Sequence, residues 1–440
     1  MLSMALFCCF FFFYVNNWLF MNSLIFMIIN LFLMNFNSLY FFNLFMKFSM
    51  DILAWGLIML SFWIIILMLM VSEMIFKLNN SKYFFTFNIL LLLMMLFMTF
   101  MSLNIFHFYF FFEVSLIPVL FFIIGWGYQV ERVQAGIYLL FYTLFLSLPM
   151  LLGLMYMYYN QGYLLISMIK SLDNFMLFLI IYLSFLVKMP MFSLHLWLLK
   201  AHVEAPVFGS MILAGLMLKL GGYGLIRIMN FFSFVLLKFN FYFIFLSLMG
   251  GMCLAVMCVM QLDLKLLIAM SSIVHMSLVI SGIFTISYYG ICGSYLIMLG
   301  HGLCSSGLFV LSNMSYERLL SRSMVFNKGM MNFLPLLSLW WFLLISSNMA
   351  SPFSMNLFGE ITLMISIISY SNLFIFVLIL ISFFSSVYNM YLYAFSQHGM
   401  FMEDFLSFSL VSVREYFILF LHWLPLNLMV FLIDFFFLLM

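Results

Sequence analysis

Six ionisable side chains lie well inside long apolar stretches of this sequence. A charged residue at the centre of a lipid bilayer costs about 2.5–3.5 kcal/mol on insertion scales. Desolvation favours the neutral form of lysine and of glutamic acid, whereas an opposite charge nearby favours the charged form, and histidine exchanges protons near neutral pH. A series of such groups therefore suits the movement of protons. The six residues are Glu113, Lys188, Lys219, His275, His301 and Glu360.

Small or polar residues flank these side chains one helical turn away. Lys219 has Gly215 at i−4 and Gly222 at i+3, and such small residues allow a neighbouring helix to approach closely. A stripe that faces lipid would instead carry Leu and Phe. The alternative is that the charges form buried ion pairs that only hold helices together. The number of these residues, and the position of two of them beside broken helices, favours proton transfer.

The elements that carry these residues must be transmembrane helices. The chain has 440 residues, of which 68% are hydrophobic and 6% are charged, whereas a soluble domain carries about 25% charged residues. Apolar runs of about 20 residues indicate helices rather than a barrel. We therefore predict an all-α polytopic membrane protein, a single membrane domain with about 14 transmembrane helices. The runs are 2–15, 18–34, 53–76, 83–103, 105–124, 134–159, 175–199, 206–230, 241–259, 264–285, 289–314, 333–369, 373–397 and 415–438.

Two of these predicted helices contain helix-breaking prolines. Helix 7 contains Lys188-Met189-Pro190, and helix 12 contains the stretch 348–352 with Pro352, followed by Glu360. The breaks fall in the fourth span of helices 4–8 and of helices 9–13. Paired discontinuous helices indicate two inverted five-helix repeats. The predicted segments are N-terminal helices in 1–82, a first repeat in 83–230, a second repeat in 241–397, and a C-terminal helix in 398–440.

Several classes of function are not supported by the sequence. The formal net charge of +2 gives no basic face for nucleic acid. The six cysteines have no metal-ligand spacing, and no Gly-rich phosphate loop follows a strand. We therefore expect no cofactor and no metal in this chain, so any electrons of a redox enzyme would travel elsewhere.

The remaining ionisable residues give weaker signals. His195 and His202 lie just after the first break, and they either gate one mouth of a path or cap a helix. We expect interfacial positions for His107, Glu73 and Asp434, and loop or interface positions for His398, Glu403, Asp404 and His422.

Several motifs carry a family resemblance, in order along most of the chain from about residue 80. They are FFFEVSLIPVLFFIIGWGYQVERVQAGIYLLFYTLFLSLPML (110–151), LVKMPMFSLHLWLLKAHVEAPVFGSMILAGLMLKLGGYGLIR (186–227), SSIVHMSLVISG (271–282), HGLCSSGLFVLSN (301–313), YERLLSRS (316–323) and NLFGE (356–360). They closely resemble the chain 4 family of mitochondrial NADH:ubiquinone oxidoreductase, respiratory complex I. One departure is Leu199, where the family usually has proline.

The resemblance implies an antiporter-like, proton-pumping membrane subunit. It implies that Glu113 and Lys188 form a coupling pair and that Lys219 is the central lysine. It further implies that His275 and His301 belong to the connecting path and that Glu360 is the terminal glutamate of helix 12. NAD, FMN, iron-sulfur clusters and ubiquinone are then expected in other subunits of the complex. Two alternatives stay open, namely a free-standing cation/proton antiporter and a structural spacer in the membrane arm.

Location and partners follow from the same resemblance. The partners are other membrane-arm subunits, with subunits 2 and 5 as neighbours, accessory subunits, and lipids such as cardiolipin. The abundance of Phe (62) and Met (44) fits an AT-rich mitochondrial genome, so we expect the mitochondrial inner membrane. The distribution of basic residues among the loops places both termini in the intermembrane space.

Overall fold

The computed structural model of the chain describes residues 42–45, 48–400 and 410–438. The two predicted N-terminal helices, together with Glu403 and Asp404, lie outside these residues. The described part is almost wholly helical, which confirms the prediction of an all-α membrane protein. The exception is a short antiparallel hairpin of two strands, β1 (Phe42–Phe45) and β2 (Phe48–Met50), which was not predicted.

The helices follow one another with short connections. Those before the middle of the chain are α1 (Ile52–Val71), α2 (Glu73–Lys77), α3 (Lys82–Met101), α4 (Ile105–Val114), α5 (Leu116–Trp126), α6 (Arg132–Gln161), α7 (Phe175–Lys188), α8 (Leu196–Glu204), α9 (Val207–Ile212) and α10 (Leu218–Ile228). Those that follow are α11 (Ser233–Val259), α12 (Leu264–Phe284), α13 (Tyr288–Leu319), α14 (Met330–Phe333), α15 (Pro335–Asn348), α16 (Met355–Tyr370), α17 (Ile375–Gln397), α18 (Val413–Leu428) and α19 (Ile433–Leu438).

Local sequence explains several helix ends. The side chain of Asn104 accepts a hydrogen bond from Phe106 N at 2.9 Å and caps the start of α4. Ser412 and Glu415 form a reciprocal capping box at the start of α18. Gly162, with φ of 75°, ends α6 in the left-handed conformation that glycine adopts without strain.

Nine helical stretches of the described residues are long and apolar enough to cross a membrane. One of them, Val207–Val259, runs for 53 residues through α9, α10 and α11. The gap between the predicted runs 206–230 and 241–259 is therefore mostly helical. A 3₁₀ turn at Met229–Phe232 separates α10 from α11, which begins at Ser233, eight residues before the predicted run.

Both predicted helix breaks are present. Helix α7 ends at Lys188 and α8 begins at Leu196, while α15 ends at Asn348 and α16 begins at Met355. Each proline lacks an N–H and its ring crowds the carbonyl four residues earlier, which stops a regular helix. Non-glycine residues adopt positive φ in both breaks, namely Ser193 (81°), Ala350 (58°) and Phe353 (68°). Such strained backbone persists only where the surrounding structure holds it in place.

The contacts divide the chain into two compact units. The first ends at Lys188 and resumes over Glu204–Val235, and the second holds Met189–Val203 and the described residues from Leu236 onward. In the first unit α6 packs against α7, and α7 packs against α10. In the second unit α13 packs against α12, α16 and α18.

The second unit has two central helices. In the 18-residue apolar stretch of each helix, 94% of the residues of α12 and all of those of α13 are buried, whereas only 28% are buried in the stretch that contains α18. A helix that is apolar all round belongs in the interior of a large protein. The central pair α12 and α13 carries His275 and His301, so the predicted histidines lie in the most enclosed part of this unit.

Candidate functional site

Glu113 and Lys188 form an ion pair inside the first unit. Their Oε1 and Nζ atoms lie 3.5 Å apart, and the Lys188 side chain is only 3% exposed. The ammonium also donates to the carbonyl of Phe112 at 2.9 Å and sits over the Phe112 ring, 3.0 Å from its centroid. A buried cation needs partners of this kind, because burial of an isolated charge is very costly. The structure therefore joins two residues that lie 75 positions apart in the sequence.

An interruption of the predicted fifth helix positions this pair. The run predicted as one helix over 105–124 ends as α4 at Val114 and restarts as α5 at Leu116. The cause is Pro118, whose ring crowds the carbonyl of Val114 and whose nitrogen cannot donate to it. The Phe112 carbonyl lies in the last turn of α4, so it is free to accept from Ser115 Oγ at 2.7 Å as well as from Lys188.

Lys219 is fully buried beside a second irregularity of the helix. A π-helical turn spans Leu213–Met217, in which Leu218 N donates to Leu213 O. This wider turn presents the carbonyl of Ala214, which accepts from Lys219 Nζ at 2.5 Å. π-turns inside α-helices are frequent at functional sites. In both cases an ammonium binds a carbonyl that an irregular helix offers.

His275, His301 and Glu360 meet inside the second unit. His275 Nδ1 lies 3.3 Å from Glu360 Oε1, and the rings of His275 and His301 have centroids 5.5 Å apart. His275 and His301 are at most 3% exposed, and Glu360 is 9% exposed. The prediction that these residues lie inside the protein is confirmed by their burial. Three helices contribute, α12, α13 and α16, so only the tertiary fold brings the three together.

The second break is surrounded by hydrogen-bonded side chains. Asn356 Nδ2 donates to the carbonyl of Ser347, in the last turn of α15, at 2.9 Å. Asn348 Nδ2 donates to Asn389 Oδ1 at 2.9 Å, and Cys304 Sγ lies 3.3 Å from Ser347 Oγ. A cavity of about 310 Å³ lies at the break and is lined in part by Ser347. The broken helix is thus a polar region inside an otherwise apolar unit.

Sequence reasoning missed a polar cluster at one end of the first unit. Arg227 pairs with Asp51 at 2.5 Å and lies over the Tyr223 ring, 4.7 Å from its centroid. The Tyr223 hydroxyl donates to Phe100 O at 2.6 Å. A cavity of about 370 Å³ adjoins Tyr223 and Arg227, and its lining includes Ser102. The only sequence signal was the i, i+4 spacing of Tyr223 and Arg227.

The other ionisable residues divide into buried and peripheral ones. His195 stacks on Phe192, with centroids 5.6 Å apart, and His202 stacks on Phe309 at 4.9 Å. Both contacts are ring stacking, which does not distinguish a gate at the mouth of a path from a helix cap. The role of these two histidines therefore stays a prediction. The loop or interface position expected for His422 is wrong, because this residue is fully buried in the middle of α18. An ionisable residue within the last apolar run was the signal that pointed to this burial.

The fold and these interior charges define a class of protein. It is a multi-pass helical membrane protein whose described residues include two discontinuous helices, a buried carboxylate–lysine pair and a buried histidine–carboxylate pair. No group of His, Cys, Asp or Glu that could hold a metal ion occurs in the part of the chain that the structure describes. The chemistry that the arrangement offers is the binding and release of protons.

Comparison with known proteins identifies the family. The family described as "NADH:quinone oxidoreductase/Mrp antiporter, TM" matches residues 102–388, and the one described as "NADH-ubiquinone oxidoreductase chain 4, amino terminus" matches residues 1–99. NADH-ubiquinone oxidoreductase chain 4 of Ceratitis capitata is 54% identical over 416 residues, 94% of this chain and 93% of that one. Chain 4 of Aedes aegypti is 54% identical over 432 residues, 97% of this chain and 96% of its own. The chain belongs to the NADH-ubiquinone oxidoreductase chain 4 family.

Solved structures share the fold. A chain of respiratory complex I from Thermus thermophilus with bound NADH superposes with a TM-score of 0.83 at 22% identity, covering 94% of this chain and 90% of that one. A chain of the Mrp complex from Dietzia sp. DQ12-45-1b gives a TM-score of 0.78 at 14% identity, covering 90% of this chain and 79% of that one. The antiporter-like fold is therefore shown.

Proposed function

We propose that this chain is a core membrane-arm subunit of respiratory complex I that translocates protons from the matrix to the intermembrane space. Family membership and the near full-length match to chain 4 relatives support this assignment. NADH oxidation and ubiquinone reduction take place in other subunits, which hold NAD, FMN, iron-sulfur clusters and ubiquinone. This chain supplies the proton path and no redox chemistry.

The observation that carries the proposal is the pair of enclosed acid–base contacts. Glu113 with Lys188, and Glu360 with His275, are each a carboxylate beside a basic group with almost no access to solvent. In such a setting a small change in the distance between the two partners alters how firmly each holds its proton. Energy released elsewhere in the complex can then drive proton uptake and release.

Each residue has a defined role in this proposal. Glu113 and Lys188 form the coupling pair. Lys219 is the central proton-holding site, and the Ala214 carbonyl stabilises its ammonium form. His275, His301 and Glu360 carry the proton onward within the second unit. The His275 ring lies between the His301 ring and the Glu360 carboxylate.

The surroundings of the subunit follow from the same assignment. We place it in the mitochondrial inner membrane with both termini in the intermembrane space. Its neighbours are subunits 2 and 5, accessory subunits and lipids such as cardiolipin. Residues 83–230 and 241–397 are the two inverted repeats.

Substitution of Lys219 by methionine tests the proposal. Methionine keeps most of the length of the side chain but carries no proton. In sealed vesicles that contain the intact complex, we expect Lys219→Met to lower proton translocation per NADH oxidised. NADH oxidation by an artificial electron acceptor should stay at the wild-type level, because it needs no proton path.

The matched control is Lys170→Met, the same substitution at an exposed loop lysine, which should pump normally. Normal pumping by Lys219→Met would contradict the proposal and favour a spacer role. Recovery of the chain as a lone cation transporter, without other complex I subunits, would favour the free-standing antiporter.

A further inference from the structure

His422 is a buried titratable residue that the proposed path does not use. It lies in the middle of α18 and is fully buried. Its Nδ1 atom lies 2.8 Å from the carbonyl of Ile418. A carbonyl can only accept, so Nδ1 of the neutral ring carries the hydrogen and Nε2 is the free base. Nε2 has no hydrogen-bond partner among the residues that the structure describes.

A buried nitrogen without a hydrogen-bond partner lowers the stability of the fold, and packing alone does not explain why such a group is present. A buried acceptor left without a donor costs about 1–3 kcal/mol, whereas an apolar side chain of similar size would avoid that cost. The bond between Nδ1 and Ile418 is local to α18, so it ties no second helix to the first. Helix packing therefore gives no reason for a histidine at this position.

The face of α13 that meets His422 is lined by small residues. Gly300, Cys304 and Gly307 follow one another at i, i+4 and i+7, which places them on one side of the helix. A methyl group on Gly307 would lie 3.3 Å from the Cβ atom of His422. A methyl group on Gly300 would lie 2.2 Å from Asn356 Oδ1. Small side chains here leave room for polar groups from the facing helices.

These polar groups form a row that begins at Glu360. Asn356 precedes Glu360 by one turn of α16, and its amide donates to the carbonyl of Ser347 at 2.9 Å. The hydroxyl of Ser347 lies 3.3 Å from the Cys304 thiol. Cys304 in turn lies one turn before the glycine that contacts His422. Both the hydroxyl and the thiol can accept and donate a hydrogen bond, so they can hold water molecules in line.

We propose that His422 is a further proton-carrying residue, reached from Glu360 along the row formed by Asn356, Ser347 and Cys304. This inference rests on the proposed function of the chain. A proton released by the Glu360 carboxyl passes through water held along the row and binds at Nε2 of His422, which becomes an imidazolium ion. The same proton leaves from Nε2 when the ring returns to its neutral form, so Nδ1 keeps its bond to Ile418 throughout.

Two amide variants separate this role from a structural one. The side-chain amide of asparagine overlays the Nδ1 side of the ring, so His422→Asn keeps a donor for Ile418 O and removes Nε2. The longer His422→Gln places its amide near the position of Nε2 and loses the Nδ1 donor. Neither amide carries a proton between neighbours. The matched control is His398→Asn, the same substitution at an exposed histidine just after the end of α17.

The variants are compared in the intact complex in sealed vesicles. We expect wild-type assembly and wild-type electron transfer to an artificial acceptor for His422→Asn. Proton-coupled ubiquinone reduction should fall on the order of 10²-fold, as is typical when a proton-transfer residue is lost. His398→Asn should match the wild type in every measurement.

Normal pumping by His422→Asn would overturn the inference. If His422→Gln alone were impaired, the result would indicate that only the hydrogen bond to Ile418 matters. Comparison with Lys219→Met identifies which idea has failed. If Lys219→Met is defective and His422→Asn is normal, only the role of His422 is refuted, whereas normal pumping by both variants refutes the proposed function itself.

Discussion

Replacement of Glu113 by glutamine tests the ion pair with Lys188 with little change in side-chain shape. Glutamine has nearly the same shape but no charge, so the packing around the pair should change little. Lys188 keeps the Phe112 carbonyl at 2.9 Å and the face of the Phe112 ring. The substitution therefore removes one carboxylate charge and leaves the other partners of the ammonium in place.

The expected size of the effect follows from the geometry. Two unit charges 3.5 Å apart attract each other by about 5 kcal/mol at an effective dielectric constant of about 20. Since about 1.4 kcal/mol corresponds to a factor of ten, the lost attraction is equivalent to between about three and four powers of ten in an equilibrium constant. The Glu113 side chain is 14% exposed, so screening by nearby solvent makes this figure an upper bound.

The assay follows proton translocation and ubiquinone reduction together. We expect Glu113→Gln to assemble normally and to lower proton-coupled turnover at least about tenfold, which is well inside the limit set by the Coulomb energy. Electron transfer to an artificial acceptor should not change. Glu131→Gln, at an exposed glutamate just before α6, is the control and should behave as the wild type.

The double variant Glu113→Gln/Lys188→Met distinguishes pumping from a structural role. If the pair only held helices together, removal of both charges would leave no unpaired ion and pumping would survive. If the pair handles protons, the double variant stays defective. Wild-type pumping by Glu113→Gln, or restored pumping in the double variant, would refute the reasoning.

Three further substitutions test the surroundings of the site. Arg227→Gln leaves the carboxylate of its ion pair alone in a mostly buried position, so we expect a lower thermal unfolding temperature, equivalent to about 3–5 kcal/mol, in a melting experiment on the purified complex. Gly300→Ala places a methyl group 2.2 Å from Asn356 Oδ1 and should cost about 1–3 kcal/mol by the same measurement, whereas Gly125→Ala, where no atom lies within 4 Å, should cost nothing. Pro118→Ala restores an N–H that can donate to the Val114 carbonyl and allows the helix to run through the interruption, so we expect a higher unfolding temperature. We also expect lower proton translocation, because the interruption that positions Glu113 and Phe112 beside Lys188 would be lost; unchanged pumping would argue against that role.

Much of the fold is encoded in local features of the sequence. Continuous apolar runs predict transmembrane helices because lipid leaves no other partner for the backbone. Pro190 and Pro352 predict two breaks, because proline acts on its own helix whatever surrounds it. The interior position of the lysines and histidines follows from their place within the runs.

The incorrect predictions also have local causes in the sequence. Pro118 indicates an interruption just as Pro190 does, but the run 105–124 was predicted as one continuous helix. The segment between the predicted runs 206–230 and 241–259 is mostly helical because it contains neither glycine nor proline. His422 was expected in a loop or at an interface, although its position within an apolar run argued for burial.

The pairings could not be predicted from sequence. Nothing local indicates that His275 meets Glu360, or that Lys188 binds the carbonyl of Phe112. Such contacts depend on which helices become neighbours.

The most direct test of the central claim is a map of the intact complex at a resolution that shows water. Proton transfer needs hydrogen-bonded partners for each carrier. We predict ordered waters within hydrogen-bond distance of Lys188 Nζ and Lys219 Nζ in the first unit, and of His301 and Glu360 in the second. Dry, tightly packed apolar surroundings at these four side chains would contradict it and leave the charges as buried ion pairs.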